Sequence, residues 1–310
     1  MARRHTLLVQ LPALLALLMA CQAARPPPAV QEQLNERPII GILSQPGPPA
    51  PEGGSYIAGS YVKWAEAAGA RVVPIFYDES REQMLYKFNI INGLLLPGGG
   101  AKLQKGHPFF DAADYLVKLA IKANDQGDYF PVHGTCLGME TLAIVVSRNV
   151  SILSDMDAED APAPLLYNEE AEDSHFFSSL PPSVVRNLQN TPIAMENHAH
   201  EWPTFLHIPH SPEAVVMGQE VANFFVREAR RNKHKPHNEA EEDDLLIYRY
   251  APAFTGRHME GREEEADFEQ TYLFTGPHAR APRAGAGAGA GAAAAAAGAA
   301  AAAVAAAAVV

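Results

Sequence analysis

The stretch from Tyr129 to Glu140 leaves this chain few ways to fold. A short β-type run enters it, and Leu137, Leu142, Val145 and Val146 leave it at spacings that share one face of a helix. Between them lies Gly134-Thr135-Cys136-Leu137-Gly138. Two glycines flanking a central side chain permit a strained strand-to-helix bend that pushes that side chain outward, the cysteine version of a nucleophile elbow. A thiol placed there meets free N–H groups and the positive end of a helix dipole, which favour thiolate over thiol. The same N–H groups can hold the oxyanion of an acyl-transfer intermediate. The competing reading is a core cysteine in a glycine-rich turn.

Upstream of the elbow, apolar runs alternate with helical spacings. Pro38 to Leu43 reads as a buried first strand, Tyr56 to Ala68 as a helix closed by Gly69, and Arg71 to Phe76 as a second strand. A helix over Arg81 to Phe88 and a strand over Ile90 to Leu96 follow, ending in Pro97-Gly98-Gly99-Gly100. Glycines after a strand let backbone N–H groups face an anion, although an ordinary flexible loop has the same composition. A longer helix, Phe110 to Asn124, leads to the elbow. This alternation predicts an α/β fold, three-layer α/β/α and doubly wound around a mostly parallel, flavodoxin-like sheet. Ligands of such sheets bind at strand C-termini, where both Gly98–Gly100 and Cys136 fall.

Beyond the elbow, Ser151 to Ser154 and Val184 to Glu196 read as strand-like, with acidic loop at Asp155 to Pro164. Ser211-Pro212-Glu213 opens a helix running to about Arg231, as N-cap, N1 proline and first-turn carboxylate. Glu239 to Asp244 and Glu263 to Asp267 read as solvated acidic loops.

The ends of the 310-residue chain are of another kind. Arg3 and Arg4, an apolar run from Leu7 to Ala20, and Cys21-Gln22-Ala23 make residues 1–23 a secretory signal peptide. Residues 24–36 form a Pro-rich lead-in, and 275–310 a Gly/Ala low-complexity tail. Removal of the signal peptide would leave Cys136 as the only cysteine, which excludes an intramolecular disulfide and a cysteine-based zinc site. The expected location is the secretory pathway, then vacuole, lysosome or extracellular space, with no membrane attachment after signal cleavage. Asn149-Val150-Ser151 becomes an N-glycosylation acceptor in that setting. A formal net charge of −12 without a basic stripe argues against nucleic-acid binding. The 12 histidines would offset much of that charge in an acidic compartment.

Several segments together resemble the γ-glutamyl hydrolase family, cysteine peptidases related to class I glutamine amidotransferases. They are Arg37 to Leu43, Tyr56 to Ile75, Ile91 to Gly99, Gly127 to Glu140, Val221 to Asn232 and Leu245 to Tyr250. The similarity spans residues 37–274, and Met139 stands where an aromatic residue is usual. The resemblance implies that Cys136 attacks a γ-glutamyl carbonyl of a folylpoly-γ-glutamate and forms a thioester. The N–H of Leu137 and one near Gly98 or Gly99 would hold the oxyanion. His198 and Glu140 would face substrate, with His198 also readable as an ordinary loop histidine. No cofactor or metal is implied, and a homodimer stays open.

The resemblance breaks at one place. The family carries its general base in a Trp-His-Pro-Glu type motif, and no His-Pro-Glu occurs in this chain. Residues near 199–202 join segments that flank that motif and at least one strand pair, so an internal deletion is expected there. The general base is therefore unknown. Three readings follow: a working hydrolase whose gene has been read incompletely, a member that binds γ-glutamyl ligands without turnover, and a glutamine amidotransferase. The last is disfavoured by the signal peptide and the lack of a synthetase domain.

Overall fold

The computed structural model describes residues 33–154, 161–195, 208–256 and 268–276. The signal peptide, His198, the 199–202 junction, Glu263 to Asp267 and all but the first two residues of the Gly/Ala tail lie outside them. Every element below belongs to the unit that begins at Asn35.

The apolar runs form the strands of one parallel sheet. β1 (Ile39–Leu43) is wholly buried because its side chains meet helices on both faces. After it come β2 (Gln45–Pro46), β3 (Ser55–Ala58), α1 (Gly59–Ala67), β4 (Arg71–Ile75), α2 (Arg81–Phe88) and β5 (Gly93–Leu96). Then follow α3 (Pro108–Asp125), β6 (Val132–Gly134) and α4 (Leu137–Ser147). The parallel sheet runs β4-β1-β5-β6, the doubly wound order expected from the alternation. Ile39, Leu43, Leu94 and Leu96 pack on one face with Phe109, Leu116 and Phe130. Ile40, Ile42, Val72 and Leu95 pack on the other with Val62, Ala65 and Phe225.

The later chain is β7 (Pro162–Ala163), α5 (Glu169–Glu172), α6 (His175–Ser179), α7 (Pro182–Asn190) and β8 (Ala194–Met195). It ends in α8 (Pro212–Ala229), α9 (Glu239–Leu245), β9 (Ala253–Phe254) and β10 (Gln270–Phe274). A second, antiparallel sheet runs β2-β3-β10-β9. α8 begins as the sequence indicates: Ser211 Oγ accepts from Ala214 N, with Pro212 in the first turn.

Four expectations are corrected. Tyr56 to Ala68 is not one helix, since Ser55–Ala58 pairs with β10 before the helix starts at Gly59. Val184 to Glu196 is mostly α7, whose Val184 and Leu188 are four residues apart and buried together. Val150–Ile152 is a 3-10 turn rather than strand. Glu239–Leu245 is helix α9, held to the β4 edge where Arg71 and Arg37 both pair with Glu242.

A polar clasp closes the N-terminal end of the sheet. Asn92 Oδ1 accepts from Ile39 N at 2.8 Å, and its Nδ2 donates to Asn232 Oδ1 at 3.0 Å. Asn232 Nδ2 donates to Tyr129 O at 2.9 Å, and His234 Nε2 lies 2.8 Å from Asp128 Oδ2. Buried donors and acceptors are thereby satisfied across β1, β5, the approach to β6 and the exit of α8. The opposite end of the sheet is left to the glycine loop and the elbow.

Candidate active site

Cys136 sits one residue before α4 with φ 51° and ψ −119°, a conformation that non-glycine residues rarely adopt. The bend is enforced from both sides. A Cβ on Gly134 would come within 2.6 Å of the Gly138 backbone, and one on Gly138 would overlap the Leu96 carbonyl oxygen. Thr135 N donates to Leu96 O at 3.1 Å, and Gly138 N donates to Thr135 O at 2.9 Å. The cysteine is therefore fixed by a helix pressed directly onto the end of β5. Its thiol is free and half-buried.

The glycine loop closes over the same spot. A Cβ on Gly98 would stand 3.2 Å from Cys136 Cβ, so the loop after β5 lies against the elbow. Gly99 has φ +154°, and its missing side chain leaves room for Gln45, whose Cδ would lie 2.6 Å from a Cβ there. Gln45 is fully buried; its Nε2 donates to Pro97 O at 3.2 Å while Oε1 has no hydrogen-bond partner among the described residues.

Two details differ from the sequence reading. Burial is the main influence on the Cys136 thiol and pushes its pKa up. A hydrogen bond from the Leu137 N–H pulls it down, and the Glu140 charge adds to the rise. The helix terminus therefore opposes the effect of burial on this thiol. The N–H of Gly98 is not turned to an empty oxyanion position, since it donates to Tyr61 Oη at 2.9 Å. Tyr61 thus joins the site from α1, a contact that its place in a helical span does not foretell. The N–H of Gly99 makes no hydrogen bond among the described residues.

Glu140 lies on the first turn of α4, partly buried, and burial raises its pKa. Asn149 is exposed, its Oδ1 accepting from Ser151 N at 3.0 Å. His198 lies outside the described residues. Among those described, no imidazole is hydrogen-bonded to the Cys136 thiol. His133, three residues before it on β6, is buried against Trp64 and Phe225 at ring distances of 4.9 and 5.4 Å. Its Nε2 meets Thr135 Oγ1 at 3.1 Å and its Nδ1 has no partner among the described residues; burial lowers its pKa to about 4. No group of His, Cys, Asp and Glu side chains suited to a metal ion occurs among the described residues.

A doubly wound parallel sheet with a cysteine on a glycine-flanked bend at its C-terminal edge defines the class, an α/β protein that presents a thiol at that edge. Comparison with known proteins narrows it. A family model described as Peptidase C26 matches residues 38–150, from β1 through the elbow helix. Gamma-glutamyl hydrolase of Rattus norvegicus is 33% identical over 298 residues, covering 78% of this chain and 91% of that protein. Gamma-glutamyl hydrolase 1 of Arabidopsis thaliana is 30% identical over 308 residues, covering 80% and 85%. The Homo sapiens gamma-glutamyl hydrolase is 31% identical over 295 residues, covering 77% and 90%. A solved structure, the glutaminase domain of Trypanosoma brucei CTPS with bound acivicin, is 19% identical over 36% of this chain and 41% of that one. Its TM-score of 0.27 is too low to bear on the fold. The chain belongs to the γ-glutamyl hydrolase family.

Proposed function

We propose that this protein hydrolyses γ-glutamyl bonds in folylpoly-γ-glutamates, with Cys136 as nucleophile. The observation that carries the reading is Cys136 at φ 51° between two glycines that cannot bear side chains, facing Gly98, inside the span shared with Peptidase C26. The thiol sulfur adds to the γ-carbonyl carbon, and the tetrahedral oxyanion is held by the N–H groups of Leu137 and Gly99. Gly98 joins them once Tyr61 releases its N–H. The C–N bond breaks as the thiol proton passes to the departing amine, leaving a thioester. Water then adds to the thioester carbonyl, expelling the sulfur and freeing the γ-carboxylate. Glu140 and His198 are assigned to substrate contact. The N-terminal basic and apolar pattern and the exposed Asn149 fit a glycosylated protein of the secretory pathway, working in vacuole, lysosome or extracellular space.

A second reading, binding without turnover, is favoured by the raised thiol pKa and by the lack of a described imidazole on Cys136. One assay separates the two: a poly-γ-glutamyl folate incubated at acidic pH with the secreted protein and with Cys136→Ala. Turnover in the parent and a fall of at least ~10³-fold in the variant are expected. Turnover that survives in Cys136→Ala overturns the nucleophile. Ligand binding and Cys136 alkylation without turnover in the parent overturn the hydrolase reading.

A further inference from the structure

Between Gly100 and α3 the chain crosses the C-terminal edge of the sheet in an exposed loop, Lys102 to His107. Its two lysines, Lys102 and Lys105, are exposed and have no carboxylate partner among the described residues. Arg81, at the start of α2, lies beside the loop. Its guanidinium donates to the Asp111 carbonyl at 2.8 Å and lies 4.5 Å from the Tyr115 ring centroid, again with no ion pair among the described residues. The acidic group closest by contact is Asp111, whose Oδ1 already accepts from Gly106 N at 3.0 Å; Glu82 is exposed on the first turn of α2.

These unpaired cations are distinguished by where they lie. The formal charge of the chain is −12, and several other described basic groups are matched: Arg71 and Arg37 with Glu242, Lys87 with Glu79, Lys118 with Asp114, Arg231 with Glu228, Arg249 with Asp244. Lys63, Lys122, Arg148, Arg186 and Lys235 also form no ion pair among the described residues, so what sets Lys102 and Lys105 apart is their place on the loop that continues from the Gly98 contact with Cys136. An unmatched positive strip on an acidic protein attracts anions and does little for its own stability. Its position is fixed by Gly98, which abuts Cys136 Cβ, and by the four-residue reach from there to Lys102, at most about 14 Å of chain. A γ-linked glutamate chain carries one free α-carboxylate per residue, so it presents a row of negative charges to such a strip.

Resting on the γ-glutamyl reading above for the ligand's chemistry, we propose that Lys102 and Lys105, with Arg81 beside them, bind the α-carboxylates of a poly-γ-glutamate chain next to Cys136. The strip selects longer chains over shorter ones, because each added residue brings a carboxylate and a single γ-glutamyl residue brings too few to span it.

The test is fluorescence anisotropy of labelled penta-γ-glutamate and of labelled mono-glutamate with the full-length protein, at low and at physiological salt. The proteins are the parent, Lys102→Gln/Lys105→Gln, Lys102→Glu, and Lys122→Gln as a charge control on the exposed side of α3. The double variant is expected to lose about tenfold in penta-glutamate affinity at low salt and most of the salt dependence, with mono-glutamate binding unchanged. Lys102→Glu weakens binding further, and Lys122→Gln matches the parent. Equal losses for Lys122→Gln, an unchanged double variant, or no penta-glutamate binding by the parent overturns the strip. Loss in the double variant of a parent that binds but never cleaves keeps the strip and overturns hydrolysis instead.

Discussion

At the scale of single residues, the site depends on side chains that are not there. Gly138 touches the end of β5 so closely that a methyl group would occupy the position of the Leu96 carbonyl oxygen, and neither backbone can yield without moving the elbow. Gly138→Ala is therefore expected to cost about 3 kcal/mol or more in urea denaturation. Gly100→Ala, two residues past the loop's contact with Cys136 and facing open space, is expected to stay within about 0.5 kcal/mol of the parent. The glycines and Cys136 were legible from the sequence because their spacing is itself the constraint. Tyr61 and Gln45 were not: their contacts with Gly98 and Gly99 cross 37 and 54 positions of chain, and neither residue type marks a site by composition. The thiol's surroundings were only half legible for a related reason. The helix terminus can be read locally, whereas the burial that opposes it comes from the assembled sheet.

At the scale of elements, legibility follows the range of the interactions that decide each one. α2 was read with the bounds it has, Arg81 to Phe88, because its Ser80 cap acts within one turn. α8 starts where Ser211 and Pro212 dictate, and Ser211→Ala is expected to lower stability by about 1 kcal/mol, with Ser211→Gly losing only a few tenths. Thermal unfolding of the pair checks this. Residues 56–58 were misread because their strand character comes from β10, more than 200 positions downstream, while they also fit the helical spacing that follows. In α7 the error ran the other way: valine-rich composition suggested strand, but burial of Val184 and Leu188 on one face made helix the better solution.

At the scale of the whole molecule, the two ends of the parallel sheet are treated differently. The N-terminal end is sealed by Asn92, Asn232, His234 and Asp128, and the C-terminal end carries the glycine loop, the cysteine and the unpaired cations. His133 ties pH to the stability of the whole. Its pKa is about 4 when folded, against 6.5 ordinarily, because the ring is buried. Between those values the unfolded chain takes up a proton that the native protein refuses, so stability falls as pH drops through the window. From pH 7.5 to pH 5 this single group removes about 2 kcal/mol. His133→Phe keeps an aromatic ring against Trp64 and Phe225 and is expected to gain that amount relative to the parent over the same interval, seen in denaturation midpoints at the two pH values. A pH-independent difference between the two proteins would refute the assignment.

The strand that delivers the cysteine is also the slightest of the parallel four. β6 spans three residues, and among the described strands it pairs with β5 alone. A sheet held along one border by so few rungs peels from that border first. The half-buried sulfur then serves as a gauge of the protein's own breathing: a trapping reagent would meet it faster as the margin lifts, before the interior around β1 gives way.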